Sequence, residues 1–226
     1  MAKRRLVFES NSKRYFEGPD PGSLILNFRE GEDGVGVLNH RLSEYFMQGM
    51  SSMGIATHFI KRLNMHESLI HHLEMIPVKM KVRMRADQTF AKDFDVEIGT
   101  VFTQPLVDFY FRNKEGELNV ISQSHIISMG WANQEELQEV YGLIKRISDY
   151  LAGAYWSTGA LLVDFNLELG RQYFDDYPPM LVVGDEVGPA NTQLWDLQSE
   201  TDGEIISLGV EEIADRLSLA PGQKNH

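Results

Sequence analysis

The stretch Leu161-Leu-Val-Asp-Phe-Asn-Leu-Glu-Leu-Gly170 decides the fold. Asp164, Asn166 and Glu168 alternate here with the apolar residues Val163, Phe165, Leu167 and Leu169, which are predicted to share the opposite face. This is the pattern of a β-strand, because successive side chains point to opposite faces. The three polar side chains therefore share one face of the predicted strand. Burying two carboxylates and an amide on one face is costly unless each group has a partner.

A second acidic strand follows the first. The apolar run Met180-Leu-Val-Val-Gly184 ends in Asp185-Glu186, and the turn-rich segment 175–179 joins it to the first strand. The two strands predict a hairpin that gathers carboxylates in one place. Such a cluster suits Mg²⁺ held against phosphates, since Mg²⁺ prefers oxygen ligands. A sheet with one solvated face explains the same spacing, so the alternation alone leaves both interpretations open.

Composition restricts the class of protein. The 226 residues allow one large domain or two small lobes that share a cleft. A net charge of −12 argues against broad nucleic-acid binding but allows a local basic pocket. The absence of cysteine excludes disulfides, a thiol nucleophile and thiolate metal sites. No apolar run approaches a membrane span and no signal-peptide core follows Lys3-Arg4-Arg5, so we expect a cytoplasmic protein without a membrane partner.

The order of predicted elements favours an α+β fold with antiparallel sheet, since helices are interspersed with strands and do not strictly alternate with them. The most regular helix is predicted at 134–156, where Asn133 and Glu136 form a capping-box pattern. A segment at 106–112 fits a strand or a short helix. We expect a small N-terminal lobe at 1–77 and a larger C-terminal lobe at 78–226. The other predicted elements are strands at 5–9, 13–17, 24–28, 57–63, 69–73 and 78–83 and helices at 37–53 and 210–217.

Basic residues cluster near the middle of the chain, at Arg62, Lys79, Lys81, Arg83 and Arg85. They fit either an exposed strand face or a phosphate-binding patch. The seven histidines lack a convincing metal-ligand spacing, so we expect them to be surface or core residues.

A set of segments along the chain carries a family resemblance: 37–46, 54–59, 75–78 with 82–83, 130–132, 162–165 with Glu168 and Gly170, 184–186, and 194–196. Together they resemble SAICAR synthetase (phosphoribosylaminoimidazole-succinocarboxamide synthase) of purine biosynthesis. The resemblance implies a two-lobed α+β fold with an antiparallel N-terminal lobe, a larger mixed C-terminal lobe and an ATP cleft between them. It also implies a ligase that uses ATP and Mg²⁺ to join aspartate to carboxyaminoimidazole ribotide through an acyl phosphate.

The resemblance also implies the site residues. Glu168 and Asp185 match acids that hold the metal and thereby the nucleotide, and Asp164 matches a catalytic strand aspartate. Lys13 matches a lysine over the ATP phosphates. By the same resemblance, two residues bind the phosphorylated substrate: Arg83 and Thr89.

Four positions that carry a cation in the family pattern are changed in this chain, to Asn11, Asp93, Asn166 and Gln193. The loop at 30–36 is also shorter than in the family pattern. Removing a charge-assisted hydrogen bond to a phosphate or a carboxylate costs about 1.5–3 kcal/mol.

Two classes of function therefore remain open. The first is an ATP-dependent ligase acting on the family's substrates or on another substrate. The second is a diverged non-catalytic paralogue, serving as a nucleotide- or metabolite-binding module or as a partner subunit. Small-molecule substrates are expected in the first case, and self-association or association with an active homologue fits either.

Overall fold

The computed structural model describes residues 4–31, 34–199 and 205–219. An antiparallel sheet forms the N-terminal part of the chain. Its strands are β1 (Leu6–Glu9), β2 (Lys13–Glu17), β3 (Ser23–Phe28), β4 (Phe59–Arg62) and β5 (Glu67–His71), in the spatial order β1-β2-β3-β5-β4. These strands lie close to their predicted positions, and the turn residues at 10–12 and 18–22 separate the first three of them.

A second, larger antiparallel sheet follows. Its strands are β6 (Glu74–Arg85), β7 (Val101–Arg112), β8 (Leu118–Ile121), β9 (Ala160–Gln172), β10 (Met180–Gly184), β11 (Thr192–Asp196) and β12 (Ser207–Leu208). The order is β12-β11-β9-β6-β7-β8, and β10 pairs with the C-terminal half of β9. The predicted acidic hairpin is therefore the β9–β10 pair. Residues 106–112, whose pattern fits a strand or a helix, belong to β7.

The helices of the described residues are α1 (Gly36–Ser52), α2 (Gln88–Phe94), α3 (Gln123–Ser128), α4 (Gln134–Trp156) and α5 (Val210–Arg216). The α4 capping box is confirmed, because the Asn133 side chain accepts from Glu136 N and the Glu136 side chain accepts from Asn133 N. None of these helices is long and apolar enough to span a membrane.

The main core lies between α4 and one face of the larger sheet. Met80 and Val82 of β6 and Phe165 and Leu167 of β9 are buried in one cluster with the apolar stripe of α4. In strands, the alternate residues point the other way. The second face of this β6–β9 pair is thereby turned away from α4 and carries the candidate site, with Lys79, Lys81, Arg83, Asp164, Asn166 and Glu168.

One detail of the predicted alternation is wrong. Val163 does not join Phe165 in the main core, but lies with Leu161 and Trp195 in a separate buried cluster. The pairing of β9 with β11 shifts register between Gln193 and Leu194, which changes the side to which the first residues of β9 point.

The two sheets are joined by backbone contacts. Thr57 makes an isolated parallel bridge to Val183 of β10, and His58 N donates to Val183 O at 2.9 Å. The chain passes from the first sheet to the second between His71 and Glu74. The division into lobes at residue 77 stays a prediction, and residue 77 lies inside β6.

Close packing at Gly170 yields a first prediction. A Cβ at this position would lie 2.7 Å from Leu73 Cβ and 3.1 Å from the Glu74 carbonyl oxygen. We expect Gly170→Ala to lower the free energy of unfolding by about 1–3 kcal/mol, since added atoms in a packed interior force shifts. Urea denaturation measures the change.

The matched control is Gly153→Ala on the exposed side of α4, where a Cβ meets nothing within 4 Å. This change should be neutral or stabilising by up to about 1 kcal/mol, because glycine is a poor helix former. Equal stability of the two variants would contradict the close approach of Leu73 to β9.

Candidate active site

A cleft of about 760 Å³ lies between the two sheets. The first sheet and its turn contribute Asn11, Lys13 and Tyr15 to its wall. The second sheet contributes Lys79 and Glu168, and Asp185 lines the cleft immediately after β10. Its size is in the range of small-molecule binding pockets, about 300–1,000 Å³.

Lys13 lies at the start of β2 and is only 6% exposed. Its Nζ is 2.6 Å from Asp185 Oδ1 and 2.8 Å from Glu186 Oε2. Burial alone would lower the pKa of Lys13, but the nearby carboxylates of Asp185 and Glu186 outweigh burial and raise it. The lysine is therefore charged, and its ion pairs connect the two sheets across the cleft.

Asp185 adopts a left-handed backbone conformation with φ of 53°. This region is uncommon for residues other than glycine, although Asp and Asn tolerate it best. Burial would raise the pKa of Asp185, but Lys13 overcomes that effect and lowers it. The hydroxyl of Tyr15 lies 3.4 Å from Asp185 Oδ1. Asp185 is thus an ionised carboxylate held at the cleft wall.

Glu168 lies on β9 opposite Gly184 of β10 and Lys79 of β6. Burial, followed by the negative charge of Asp185, raises the pKa of Glu168, while Lys79 acts in the opposite direction. The two acids therefore repel each other in the cleft, and a cation between them would relieve this repulsion.

The pair Glu168 and Asp185 fits Mg²⁺. Both offer oxygen ligands, and Mg²⁺ commonly binds through one or two carboxylates plus substrate phosphates and water. In residues 4–31, 34–199 and 205–219, no group of three or more His, Asp or Glu side chains is arranged to hold a metal. The site therefore fits a metal that arrives with phosphates and does not fit a metal enclosed by protein ligands.

A second polar cluster surrounds Asp164, which is 4% exposed. Lys81 Nζ is 3.0 Å from Asp164 Oδ2, and Arg83 Nη1 is 3.8 Å from the same oxygen. Arg83 also contacts Asp87 and Asp108, each at 3.1 Å. Burial raises the pKa of Asp164, and Lys81 opposes this effect. A buried carboxylate with a raised pKa is a candidate for proton transfer.

The cleft and the Asp164 cluster are connected by a polar strip. The register of β6 and β9 pairs Lys79 with Glu168, Lys81 with Asn166, and Arg83 with Asp164. Directly opposed residues share a face, so these six side chains form one continuous strip. Strand residues rise about 3.3 Å each, which gives the strip a length of about 13 Å.

Thr89 and Arg62 lie outside the cleft. Thr89 is exposed in the first turn of α2, and Asp87, which caps this helix through Phe90 N at 2.7 Å, contacts Arg83. Thr89 is thus two residues after Asp87 in the sequence, next to the Asp164 cluster, and does not line the cleft. The predicted grouping of Arg62 with the basic residues of β6 is wrong, because Arg62 is on β4 in the other sheet.

Several residues of the cleft have no clear signal in the sequence. His58, His71 and His72 line it, although their spacing indicates only surface or core residues. Burial lowers the pKa of His58 to about 4, so its imidazole is neutral at physiological pH. Glu186, the second partner of Lys13, is marked in the sequence only as part of the acidic pair that ends β10.

Comparison with known proteins identifies the family. The profile described as SAICAR synthetase matches residues 27–208. The phosphoribosylaminoimidazole-succinocarboxamide synthase of Jannaschia sp. (strain CCS1) is 40% identical over 228 residues, covering 95% of this chain and 90% of the relative. The chain belongs to the SAICAR synthetase family.

Solved structures confirm the predicted fold. The phosphoribosylaminoimidazole-succinocarboxamide synthase from Ehrlichia chaffeensis superposes with a TM-score of 0.84 at 28% identity, covering 96% of this chain and 100% of the other. A type-2 SAICAR synthetase in complex with ADP has a TM-score of 0.78 at 23% identity, covering 98% and 100% of the two chains. The second likeness concerns the fold alone.

The repulsion within the cleft yields a pH-dependent prediction. The pKa of Glu168 in the folded protein is raised above 4.5, so its contribution to stability falls as the pH rises through that raised pKa. Glu168→Gln removes the ionisable group, so the variant does not lose stability through this ionisation. We expect the variant to be more stable than the parent at pH 7, with the difference shrinking as the pH falls towards 4.5.

Urea denaturation across this pH range measures the difference. The control is Glu139→Gln on the exposed side of α4, which should leave stability unchanged. A Glu168→Gln variant less stable than the parent at pH 7 would show that attraction to Lys79 and Lys13 exceeds the cost of burying the carboxylate and its repulsion from Asp185.

Proposed function

We propose that this protein is an ATP-dependent ligase that joins aspartate to carboxyaminoimidazole ribotide through an acyl phosphate. The observation that carries the proposal is the convergence of Lys13, Glu168 and Asp185 on one cleft between the sheets. Membership of the SAICAR synthetase family supports the reaction class. The ADP named for the solved relative supports a nucleotide as ligand of the cleft.

The reaction explains why these residue types are needed. A carboxylate does not condense with an amine in water until phosphorylation turns one of its oxygens into a leaving group. Catalysis of phosphoryl transfer then depends on positioning and on cations that neutralise the transferring group. Lys13 provides a positive charge at the cleft. Glu168 and Asp185 would hold Mg²⁺, which supplies further neutralisation of phosphate charge when bound.

The Asp164 cluster has the complementary role in this proposal. Arg83 and Thr89 are proposed to bind the phosphate of the ribotide. Asp164 is the proposed catalytic carboxylate: a buried acid whose pKa is raised is suited to accept the proton released when the amine of aspartate attacks the acyl phosphate. This acid lies in the polar strip, on the same sheet face as the proposed metal ligand Glu168.

A second candidate function has an observation of its own. Asn11 lines the cleft beside Lys13 where the family pattern carries a lysine, and Lys13 itself is paired with two acids. This arrangement favours a diverged paralogue that binds a nucleotide or metabolite without ligation, or a ligase for a different substrate. The cytoplasmic location, self-association and association with an active homologue also stay predictions.

An assay of product formation distinguishes the ligase from the non-catalytic paralogue. Purified protein with ATP, Mg²⁺, aspartate and carboxyaminoimidazole ribotide should form ADP, inorganic phosphate and the succinocarboxamide product, because phosphate leaves when the amine attacks the acyl phosphate. Asp185→Asn should lower kcat by about a hundredfold or more, because lost electrostatic stabilisation of the transition state costs that much. Asp149→Asn, on the exposed side of α4, is the control. A wild-type protein that binds Mg-ATP but forms no product would favour the non-catalytic paralogue.

Nucleotide binding has a separate test. Millimolar ATP with Mg²⁺ should raise the thermal unfolding temperature, because a ligand at 100 times its Kd stabilises the native state by about 2.7 kcal/mol. The shift should be smaller with ATP and EDTA, and smaller in Asp185→Asn than in Asp149→Asn. No shift in the wild-type protein would contradict both the ligase and the nucleotide-binding module.

A further inference from the structure

Lys81 occupies the middle of the polar strip. It lies on β6, one of the two central strands of the larger sheet, between Lys79 and Arg83 along the strand. Its neighbours across the sheet are Asn166 on β9 and Asp108 on β7. The strip therefore has a cation halfway between the proposed metal ligand Glu168 and the proposed catalytic Asp164.

The contacts of Lys81 leave it capacity for a ligand. Its Nζ has one close acid, Asp164 at 3.0 Å, and a more distant one, Asp87 at 3.9 Å. An ammonium group has three donors, so the contact with Asp164 occupies only a part of them. The Lys81 side chain is also 25% exposed, and solvent or a bound molecule can therefore reach it.

Two other cations of the site, Arg83 and Lys13, are more fully engaged by acids. Arg83 is 14% exposed and contacts Asp87 and Asp108 at 3.1 Å each. Lys13 is 8% exposed and has both Asp185 and Glu186 within 2.8 Å. Of these three ion-paired cations, Lys81 is the most accessible and has the fewest close acids.

Asn166, the residue opposite Lys81, cannot supply a positive charge to the strip. Asn166 is neutral, and its Nδ2 donates to the Asn191 carbonyl oxygen at 3.1 Å. At this level of the β6–β9 pair, positive charge comes from Lys81. An anion bound between Glu168 and Asp164 meets two carboxylates, so it needs this charge to offset their repulsion.

We propose that Lys81 is a substrate-binding residue whose Nζ donates to the carboxylate of the ribotide substrate, the group that becomes phosphorylated. This inference rests on the proposed ligase function. Asp164 has a second role in it, because its contact at 3.0 Å holds Nζ over the strip. Strand β6 thus provides the binding charge that β9 lacks at Asn166.

The test compares wild type, Lys81→Met, Lys81→Arg and the double variant Lys81→Met/Asn166→Lys. Residues 81 and 166 are directly opposed, so a lysine at 166 places an ammonium group near the vacated position. Lys145→Met on the exposed side of α4 is the control. Steady-state kinetics are measured for each of the three substrates, and urea denaturation reports the stability of every variant.

Lys81→Met should lower kcat/KM for the ribotide by about ten- to a hundredfold, the effect of one charge-assisted hydrogen bond. The KM values for ATP and aspartate should not change. Lys81→Arg and the double variant should each recover most of the loss. A residue that only neutralised Asp164 would alter stability without a selective change in the KM for the ribotide.

Two results would overturn the inference, and they are distinguishable. If the wild type turns over and folded Lys81→Met matches Lys145→Met in kcat/KM for the ribotide, Lys81 does not bind substrate and the ligase function stands. In the second result, the wild type forms no product and shows no ribotide binding by calorimetry in the presence of Mg²⁺ and a non-hydrolysable ATP analogue. That result would contradict the proposed ligase function, and the proposed role of Lys81 with it.

Discussion

The buried contact of Lys13 with Asp185 and Glu186 is the interaction on which the cleft depends. It spans residues far apart in sequence and joins β2 of one sheet to the end of β10 in the other. Removing such charges from water is costly, and the cost is recovered only when each charge keeps its partners. The same contact sets the ionisation of the cleft: it keeps Asp185 charged, and the charge of Asp185 in turn raises the pKa of Glu168.

Local patterns predicted much of the fold. The helix at 134–156 and the β9–β10 hairpin depend on capping, periodicity and turn residues that are close in sequence. The side taken by Val163 could not be predicted, because it depends on a register shift against β11, about thirty residues later. The pairing of Lys13 with Glu186 and the burial of His58 are likewise long-range. The roles assigned to the site residues stay predictions from the family pattern.

The sheet carries more positive charge near the site than strand β9 alone indicates. Along β9 the chain has Asn166 where the family pattern carries a lysine, and a comparison limited to that strand counts one cation fewer. The paired strand β6 places Lys79 and Lys81 on the same face, next to Glu168 and Asn166. Function in such a sheet depends on the charge of a surface patch, to which several strands contribute.

The left-handed backbone at Asp185 restricts which residues this position can accept. Glycine, asparagine and aspartate tolerate this conformation, whereas β-branched or bulky residues are strained. Of the three tolerated residues, only aspartate carries a charge. A change to asparagine or glycine would keep the turn and remove the carboxylate, so the backbone does not by itself require an acid here. The position is therefore one where a member of this fold could lose a proposed metal ligand in a single step and keep the turn, although buried Lys13 would then lose one of its two acid partners.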